Sequence, residues 1–184
     1  MNNRITLKGK LVTLRPLSLK DAPRFCQWFK DFEVIRFLSS RIGKAAPTLK
    51  QERKWISDAK KDETEVIFSI VALDGTHIGL VRLNSIDYIH KNAEYGIFIG
   101  DKRYWGQGYG TEAGKLMIAY GFKKLKLHMI YLRCAAFNIR GEKSYKKIGF
   151  KPAGRIRQMM YLNKCYHDHL WMDLLQEEWE KKKK

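Results

Sequence analysis

The sequence lacks several features that would define whole classes of protein. Its three cysteines, Cys26, Cys134 and Cys165, lie far apart and form no CxxC pair, which argues against a disulfide framework and against a zinc site. No apolar stretch approaches the ~18 residues of a membrane-spanning helix, and the N-terminus has no signal-peptide-like hydrophobic region. We therefore expect buried free thiols, no bound metal, no membrane association and a cytoplasmic location.

Acidic residues are scarce relative to basic ones. The 184 residues include 36 Lys and Arg against 19 Asp and Glu, which gives a net charge of +17. Such a charge attracts anions, among them nucleic acid, the ribosome and phosphorylated cofactors. The lysines are spread along the chain, and the only dense run, residues 181–184, is expected to be a frayed basic tail. A lysine-rich surface is favoured over a dedicated nucleic-acid site.

Length and residue patterning predict one domain over residues 1–184, with strands and helices in mixed order. Two capping-box sequences, Ser18 to Asp21 and Thr48 to Gln51, predict helices that end near residues 30 and 60. Further helices are predicted at 111–124 and 139–148, and strands at 10–15, 66–73, 76–86, 93–100, 128–135, 152–162 and 164–174. Antiparallel hairpins surround a single β–α–β unit. The predicted class is therefore α+β, with a mixed, mostly antiparallel, twisted sheet of about seven strands flanked by helices.

A glycine-rich turn separates the fourth predicted strand from the helix that follows it. Gly106, Gly108 and Gly110 alternate within the segment from Arg103 to Thr111. Glycine permits positive φ and a close ligand approach, and successive N–H groups at a helix start can bind a pyrophosphate. A Walker loop, GxxxxGK[ST], is absent, and the GxGxG spacing differs from the GxGxxG dinucleotide fingerprint. By itself the turn leaves open a phosphate site or a tight turn without a ligand.

A second motif follows the next predicted strand. It consists of Asn138, Tyr145, Lys147 and Gly149-Phe150. Together with the pattern Arg103-x-x-Gly106-x-Gly108, it resembles the GNAT superfamily of acetyl-CoA-dependent N-acetyltransferases. The branch that contains ribosomal-protein N-terminal and spermidine acetyltransferases is similar at further segments, namely Leu11 to Pro16, Trp105-Gly106, Thr111 to Ala113 and Tyr166 to Asp168.

The resemblance implies where acetyl-CoA binds. Its pyrophosphate is expected on the backbone of the glycine turn, at Arg103, Gly106, Gln107, Gly108, Tyr109, Gly110 and Thr111. The main chain of Phe98 and Ile99 is expected to pair with pantetheine where the fourth and fifth strands splay apart. Gly96 and Gly100 would suit a close backbone approach there. Asn138 is expected to contact the pantetheine arm, assisted by Ser144.

The resemblance also implies an acid, and the reaction calls for a base. Tyr145 matches the usual general acid of the family, which protonates the departing CoA thiolate. Glu94 lies on the strand face opposite Tyr95 by period-2 alternation, and it is a candidate general base, an amine anchor or a carboxylate paired with a surface lysine. His167 and His169 share a strand face, where a surface or substrate-lining role is favoured over a metal site. Cys134 is interpreted as a buried thiol, not an acetyl carrier.

The predicted reaction is direct acetyl transfer from acetyl-CoA to a primary amine, without a metal. The favoured acceptor is a protein N-terminus, with a ribosomal protein and ribosome association suggested by the basic charge. A polyamine, an amino sugar or an aminoglycoside stays open, as do a non-catalytic acyl-CoA sensor and a basic RNA-binding module. The net charge of +17 weakens the polyamine alternative unless the pocket is locally acidic. The resemblance places acceptor specificity within residues 28–41, and the chain is expected to be a monomer or homodimer.

Overall fold

The computed structural model of the chain describes residues 5–38 and 42–181. Eight strands form one continuous sheet in the order β1-β2-β3-β4-β5-β6-β8-β7. They are β1 (Leu7–Lys8), β2 (Val12–Pro16), β3 (Val66–Ala72), β4 (His77–Asp87), β5 (Asn92–Ile99), β6 (Met129–Ala135), β7 (Lys151–Leu162) and β8 (Cys165–Leu175). The predicted α+β class with a mostly antiparallel sheet is confirmed. The short edge strand β1 accounts for the difference from seven strands.

Helices cover both faces of this sheet. They are α1 (Ala22–Trp28), α2 (Phe32–Ile35), α3 (Leu49–Ala59), α4 (Tyr109–Lys123), α5 (Ile139–Ile148) and α6 (Gln176–Lys181). Both predicted capping boxes are formed, at Ser18 and at Thr48. The short elements β1, α2 and α6 were not predicted, because a strand or helix of so few residues has too little periodicity to recognise. Lys181 ends α6, and the remainder of the expected basic tail lies outside the described residues.

The hydrophobic interior is divided into two main parts by the sheet. One part packs α4 and α5 against one face, with Met117, Ile118 and Ile148 among its buried residues. The other packs α1 and α3 against the opposite face, with Phe25 and Ile56 at its centre. Alternate residues of the central strands β3, β4 and β5 contribute to opposite parts, as the pleat of a strand requires.

The sheet opens between β5 and β6, which are the only parallel neighbours among the strands of residues 5–38 and 42–181. They run parallel because the connection through α4 returns the chain to the same end of the sheet. β5 pairs with β4 up to Ile99, but it pairs with β6 only from Asn92 to Glu94. Beyond Glu94 the two strands diverge. The splay that the resemblance implied is therefore present in the structure.

A buried polar cluster joins the start of the chain to the central strands. The Asp21 carboxylate accepts hydrogen bonds from the Arg15 guanidinium at 2.6 Å and 2.9 Å and from the Ser69 hydroxyl at 2.7 Å. The ring of His77 lies 3.5 Å from the same carboxylate and bonds the Gly79 carbonyl at 2.9 Å. These contacts compensate the cost of burying a carboxylate.

No helix within the described ranges is long and apolar enough to cross a membrane.

Candidate active site

A cleft of about 1020 Å³ occupies the gap between β5 and β6. It extends from the glycine turn beside α4 to the aromatic side chains of α1 and α3 on the opposite face of the sheet. Of the predicted site residues, those that line it are Glu94, Phe98, Ile99, Gly106, Gly108, Gly110, Thr111, Asn138, Ser144 and Tyr145. Arg103, Gln107 and Tyr109 are not among its lining residues.

The glycine turn has the backbone shape that its sequence predicts. Gly106 and Gly108 adopt positive φ angles of 75° and 92°, which disfavour any residue with a Cβ atom. Helix α4 begins at Tyr109, directly after Gly108. The N–H groups of the first helical turn have no partner within the helix, and they lie at the positive end of its dipole. This combination fits the pyrophosphate of CoA.

Contacts on both sides hold the turn in place. The indole N–H of Trp105 donates to the Ile99 carbonyl at 2.7 Å, so this carbonyl oxygen is already partnered. The Arg140 guanidinium stacks on the Trp105 ring at 3.7 Å. Arg103 forms two hydrogen bonds with the Asp101 carboxylate, at 3.0 Å and 2.7 Å, and its carbonyl accepts from Gln107. Arg103 and Gln107 therefore brace the turn from outside.

The first turn of α4 is also tied to the beginning of β2. The Glu112 carboxylate accepts hydrogen bonds from the backbone amides of Lys10, Leu11 and Val12, at 2.9 Å, 2.6 Å and 2.9 Å. A side chain at Gly9 would come within 2.6 Å of this carboxylate. The N-terminal segment thus wraps around Glu112 and fixes the end of the helix that bears the glycine turn.

Helix α5 contributes three polar side chains to the same half of the cleft. Asn138 caps the helix, because its side-chain oxygen accepts from the Gly141 amide at 3.0 Å. The Ser144 and Thr111 hydroxyls are 2.8 Å apart and link α5 to α4. Burial, together with the neighbouring Cys134, raises the pKa of the half-buried Tyr145 phenol. The phenol therefore keeps its proton at neutral pH and acts as a hydrogen-bond donor.

The opposite half of the cleft is built on the other face of the sheet. Glu94 lies there, opposite Tyr95, as the period-2 argument predicted. The parallel register sets Glu94 beside Tyr131, so that Arg133, two residues later, points to the same side. Its guanidinium binds the Glu94 carboxylate at 2.8 Å and 3.1 Å, and the Asn84 amide lies 3.3 Å away. Glu94 is thus paired with an arginine of the cleft and not with a surface lysine.

The charge of this half is positive. Among the described residues that line the cleft, Glu94 supplies the only carboxylate, and Arg133 neutralises it. Lys44, Arg82 and Arg133 also line the cleft, with Arg82 paired to Glu65 outside it at 2.9 Å. The pocket is therefore not locally acidic, which was the condition set for a polyamine acceptor.

Aromatic residues wall the end of the cleft that lies against α1 and α3. Phe25, Phe29, Phe37, Trp55 and Phe98 line it, and the Phe98 ring stacks on Phe29 at 5.6 Å. Phe29 and Phe37 belong to the segment 28–41 that was expected to carry acceptor specificity; residues 39–41 lie outside the described residues.

Gly100 requires a correction, because it is not among the residues that line the cleft. A Cβ atom at this position would fall 2.1 Å from the Trp28 ring. Its lack of a side chain therefore admits the Trp28 indole. Gly96 does line the cleft, beside the Arg82 side chain.

Several cleft residues were not assigned a site role from the sequence. Arg133, Asn84 and Lys44 carry no motif signal, and only the strand register brings Arg133 to Glu94. Cys134 is buried, and burial raises the pKa of its thiol to about 11, in keeping with a protonated structural thiol. His169 lines the cleft, whereas His167 makes an edge-on contact with the Phe137 ring and bonds the Leu162 carbonyl. The two histidines therefore lie in different environments.

Known proteins of similar sequence identify the family. Residues 12–151 match the family described as "Acetyltransferase (GNAT) domain". The chain is 31% identical to a spermidine N(1)-acetyltransferase of Escherichia coli, with 91% of this chain and 88% of that protein covered. It is 28% identical to a Bacillus subtilis protein named "Putative ribosomal N-acetyltransferase YdaF", with 94% and 95% covered.

A solved structure extends the comparison to three dimensions. The spermidine N-acetyltransferase of Vibrio cholerae, in complex with CoA and spermine, superimposes with a TM-score of 0.85 at 25% identity, covering 94% of this chain and 99% of that one. The protein belongs to the GNAT acetyltransferase family. It is an N-acetyltransferase that uses acetyl-CoA as the acetyl donor.

Proposed function

We propose that this enzyme acetylates the N-terminal amine of a polypeptide, with ribosomal proteins as the favoured class. The observation that supports this acceptor is the charge of the acceptor half of the cleft. Its single carboxylate, Glu94, is held by Arg133, and Lys44 lines the same cleft. A peptide N-terminus carries one positive charge at most and can bring acidic groups with it, so it suits these surroundings.

The competing acceptor is a polyamine, which relatives named as spermidine acetyltransferases support. A polycation needs carboxylates that are free to receive its several ammonium groups. In this chain the cleft offers one carboxylate that is already paired, and the molecule as a whole carries +17. Repulsion would therefore lower the association rate and the affinity of spermidine.

The binding roles proposed for the site follow from its geometry. The backbone of Gly106, Gly108 and Gly110, with Thr111, would hold the pyrophosphate of acetyl-CoA. The main chain of Phe98 and Ile99 would lie beside the pantetheine arm, where the Ile99 carbonyl also accepts from the Trp105 indole. Asn138 would use its amide N–H groups and Ser144 its hydroxyl. Arg103 and Gln107 would act by bracing the turn through their side-chain hydrogen bonds, and Tyr109 through its backbone at the start of α4.

The chemical roles are assigned to two further residues. Tyr145 would protonate the departing thiolate as the general acid, and the burial that raises its pKa keeps the phenol protonated until that step. Two hydrogen bonds from Arg133 already occupy part of the Glu94 carboxylate. Glu94 would therefore anchor the incoming amine through the lone pairs that remain.

Release of free CoA thiol with a panel of amines tests the acceptor. The panel contains a peptide that begins with a free α-amine, the same peptide with that amine blocked, spermidine and an aminoglycoside. We expect the free peptide to give the highest kcat/KM and the blocked peptide to give only background release. A higher kcat/KM for spermidine would contradict the proposal. Tight CoA binding without thiol release with any amine would favour a sensor.

A further inference from the structure

His169 has an environment that nothing in the fold explains. Its side chain lines the cleft and is only 7% exposed. Neither ring nitrogen has a hydrogen-bond partner among the described residues. Buried polar groups in native proteins are nearly always hydrogen-bonded, and an imidazole left without a partner carries a free-energy cost. A ligand that enters the cleft would remove this cost.

Strand register places His169 on the acceptor face of the sheet. It pairs with Ala135 on β6, and Trp171 pairs with Arg133. Residues paired across antiparallel strands point to the same side, so His169 shares a face with Arg133 and hence with Glu94. Cys134 points to the opposite face, where it lies beside Tyr145. The gap in the sheet therefore has Tyr145 on one side and His169 on the other.

The charged groups around His169 favour its neutral form. Burial lowers its pKa from the ordinary 6.5, and the nearby Arg133 lowers it further. On β6, the charge of Arg133 is shared with Glu94. On β7, Arg155 is engaged with Asp168 of β8 at 2.9 Å. Together these surroundings leave a neutral imidazole at neutral pH, and such a ring has one nitrogen lone pair with which to accept a proton.

We propose that His169 accepts the proton that the acceptor amine releases during acetyl transfer. The amine nitrogen forms a bond to the thioester carbonyl carbon, and the carbon–sulfur bond breaks with its electron pair on sulfur. The proton of the nitrogen passes to the imidazole, and the thiolate takes a proton from the Tyr145 phenol, which then regains one from water. The imidazolium then returns its proton to water. This deepens the proposed function, because it needs amine acetylation but no particular acceptor.

Position and protonation together distinguish His169 from Glu94 for this step. A carboxylate that receives two hydrogen bonds from an arginine holds its lone pairs less available for a further proton. The amine becomes far more acidic once its nitrogen is bonded to the carbonyl carbon, so an imidazole of lowered pKa is basic enough at that stage.

The test compares His169→Gln with the matched variant His167→Gln, two residues earlier on the same strand. Turnover is measured by thiol release with whichever amine the wild-type enzyme accepts best, from about pH 5 to pH 9. A general base contributes roughly 10²–10⁴-fold to a rate. We expect His169→Gln to lower kcat by about 100-fold or more at pH 7 and to remove the acidic limb of the wild-type profile. The KM for acetyl-CoA and the turnover of His167→Gln should stay near wild type.

Three outcomes would overturn the proposal. They are a kcat for His169→Gln within twofold of wild type, an equal loss in both variants, or an acidic limb that persists in His169→Gln. If that variant does not fold, His169→Ala is assayed with added imidazole; restored turnover supports the proposal, and no restoration opposes it. Failure of the peptide acceptor is recognised separately, because the wild-type enzyme would then prefer another amine.

Discussion

The indole ring of Trp28 lies directly over Gly100, so that a Cβ atom at Gly100 would come within 2.1 Å of the ring. Trp28 also contacts the rings of Phe25 and Phe98 at 5.6 Å. Helix α1 therefore packs against the end of β5, and this close packing is possible because residue 100 is a glycine. This contact fixes the position of the aromatic wall of the cleft relative to the sheet.

Gly100→Ala should destabilise the protein, because the added methyl group forces the Trp28 ring and α1 outward. Overpacking of this kind costs roughly 1–3 kcal/mol. The denaturant midpoint measures the loss, and Gly154→Ala on β7 is the control, since a Cβ atom there meets nothing within 4 Å. An equal change in both variants would contradict the role assigned to Gly100.

Gly108→Val should abolish CoA binding while the fold persists. The positive φ of Gly108, 92°, is strained for a β-branched residue, and the turn would have to change shape at the pyrophosphate site. Gly75→Val is matched for strain, since Gly75 has a φ of 84° in a hairpin turn that does not line the cleft. Calorimetry should show wild-type CoA affinity for Gly75→Val only. Affinity within a few-fold of wild type for Gly108→Val would exclude the pyrophosphate assignment.

Tyr145→Phe should lower turnover far more than CoA binding, because only the departing sulfur needs the phenol hydroxyl. Tyr95→Phe is the comparison, since the buried Tyr95 hydroxyl has no hydrogen-bond partner among the described residues. Single-turnover rates and CoA affinity are measured for both. Unchanged turnover in Tyr145→Phe would mean that another group, or water, protonates the thiolate.

Acid should destabilise the fold through His77. Burial lowers its pKa from 6.5 to about 4, although the Asp21 carboxylate opposes this effect. Between these values the unfolded chain binds the additional proton, so the free energy of unfolding falls as the pH falls from about 6.5 to about 4. The upper limit of the loss is about 3 kcal/mol.

Urea titrations across this range measure the effect of His77. His77→Gln should flatten the pH dependence, whereas His90→Gln, at an exposed turn, should leave it unchanged. A slope that survives in His77→Gln would assign the acid sensitivity to other groups.

Local signals in the sequence were sufficient for much of the fold. The capping boxes at Ser18 and Thr48 and the hairpin turn at Asp74-Gly75 depend on residues close together in the chain. The glycine turn was also predictable, because positive φ is a property of glycine itself. Helix α1 ends at Trp28, before the predicted residue 30, since helix ends fray and depend on packing.

Long-range register could not be predicted from the same signals. Period-2 alternation predicts that Glu94 lies on the strand face opposite Tyr95, but its pairing with Arg133 requires the parallel alignment of β5 and β6 across α4. The same holds for Trp28 and Gly100, which are distant in sequence. The sequence alone therefore could not show that Gly100 lies against the Trp28 ring of α1.

The two hydrophobic interiors meet on β5 and in the glycine turn. Ile97 and Ile99 pack against the core beneath α4 and α5, whereas Phe98 and Trp105 pack against the core beneath α1 and α3. A mutation that reshapes the aromatic wall of the cleft is therefore expected to reach the glycine turn through Trp105. A change of acceptor in a protein of this architecture would have to preserve that contact in order to keep acetyl-CoA bound.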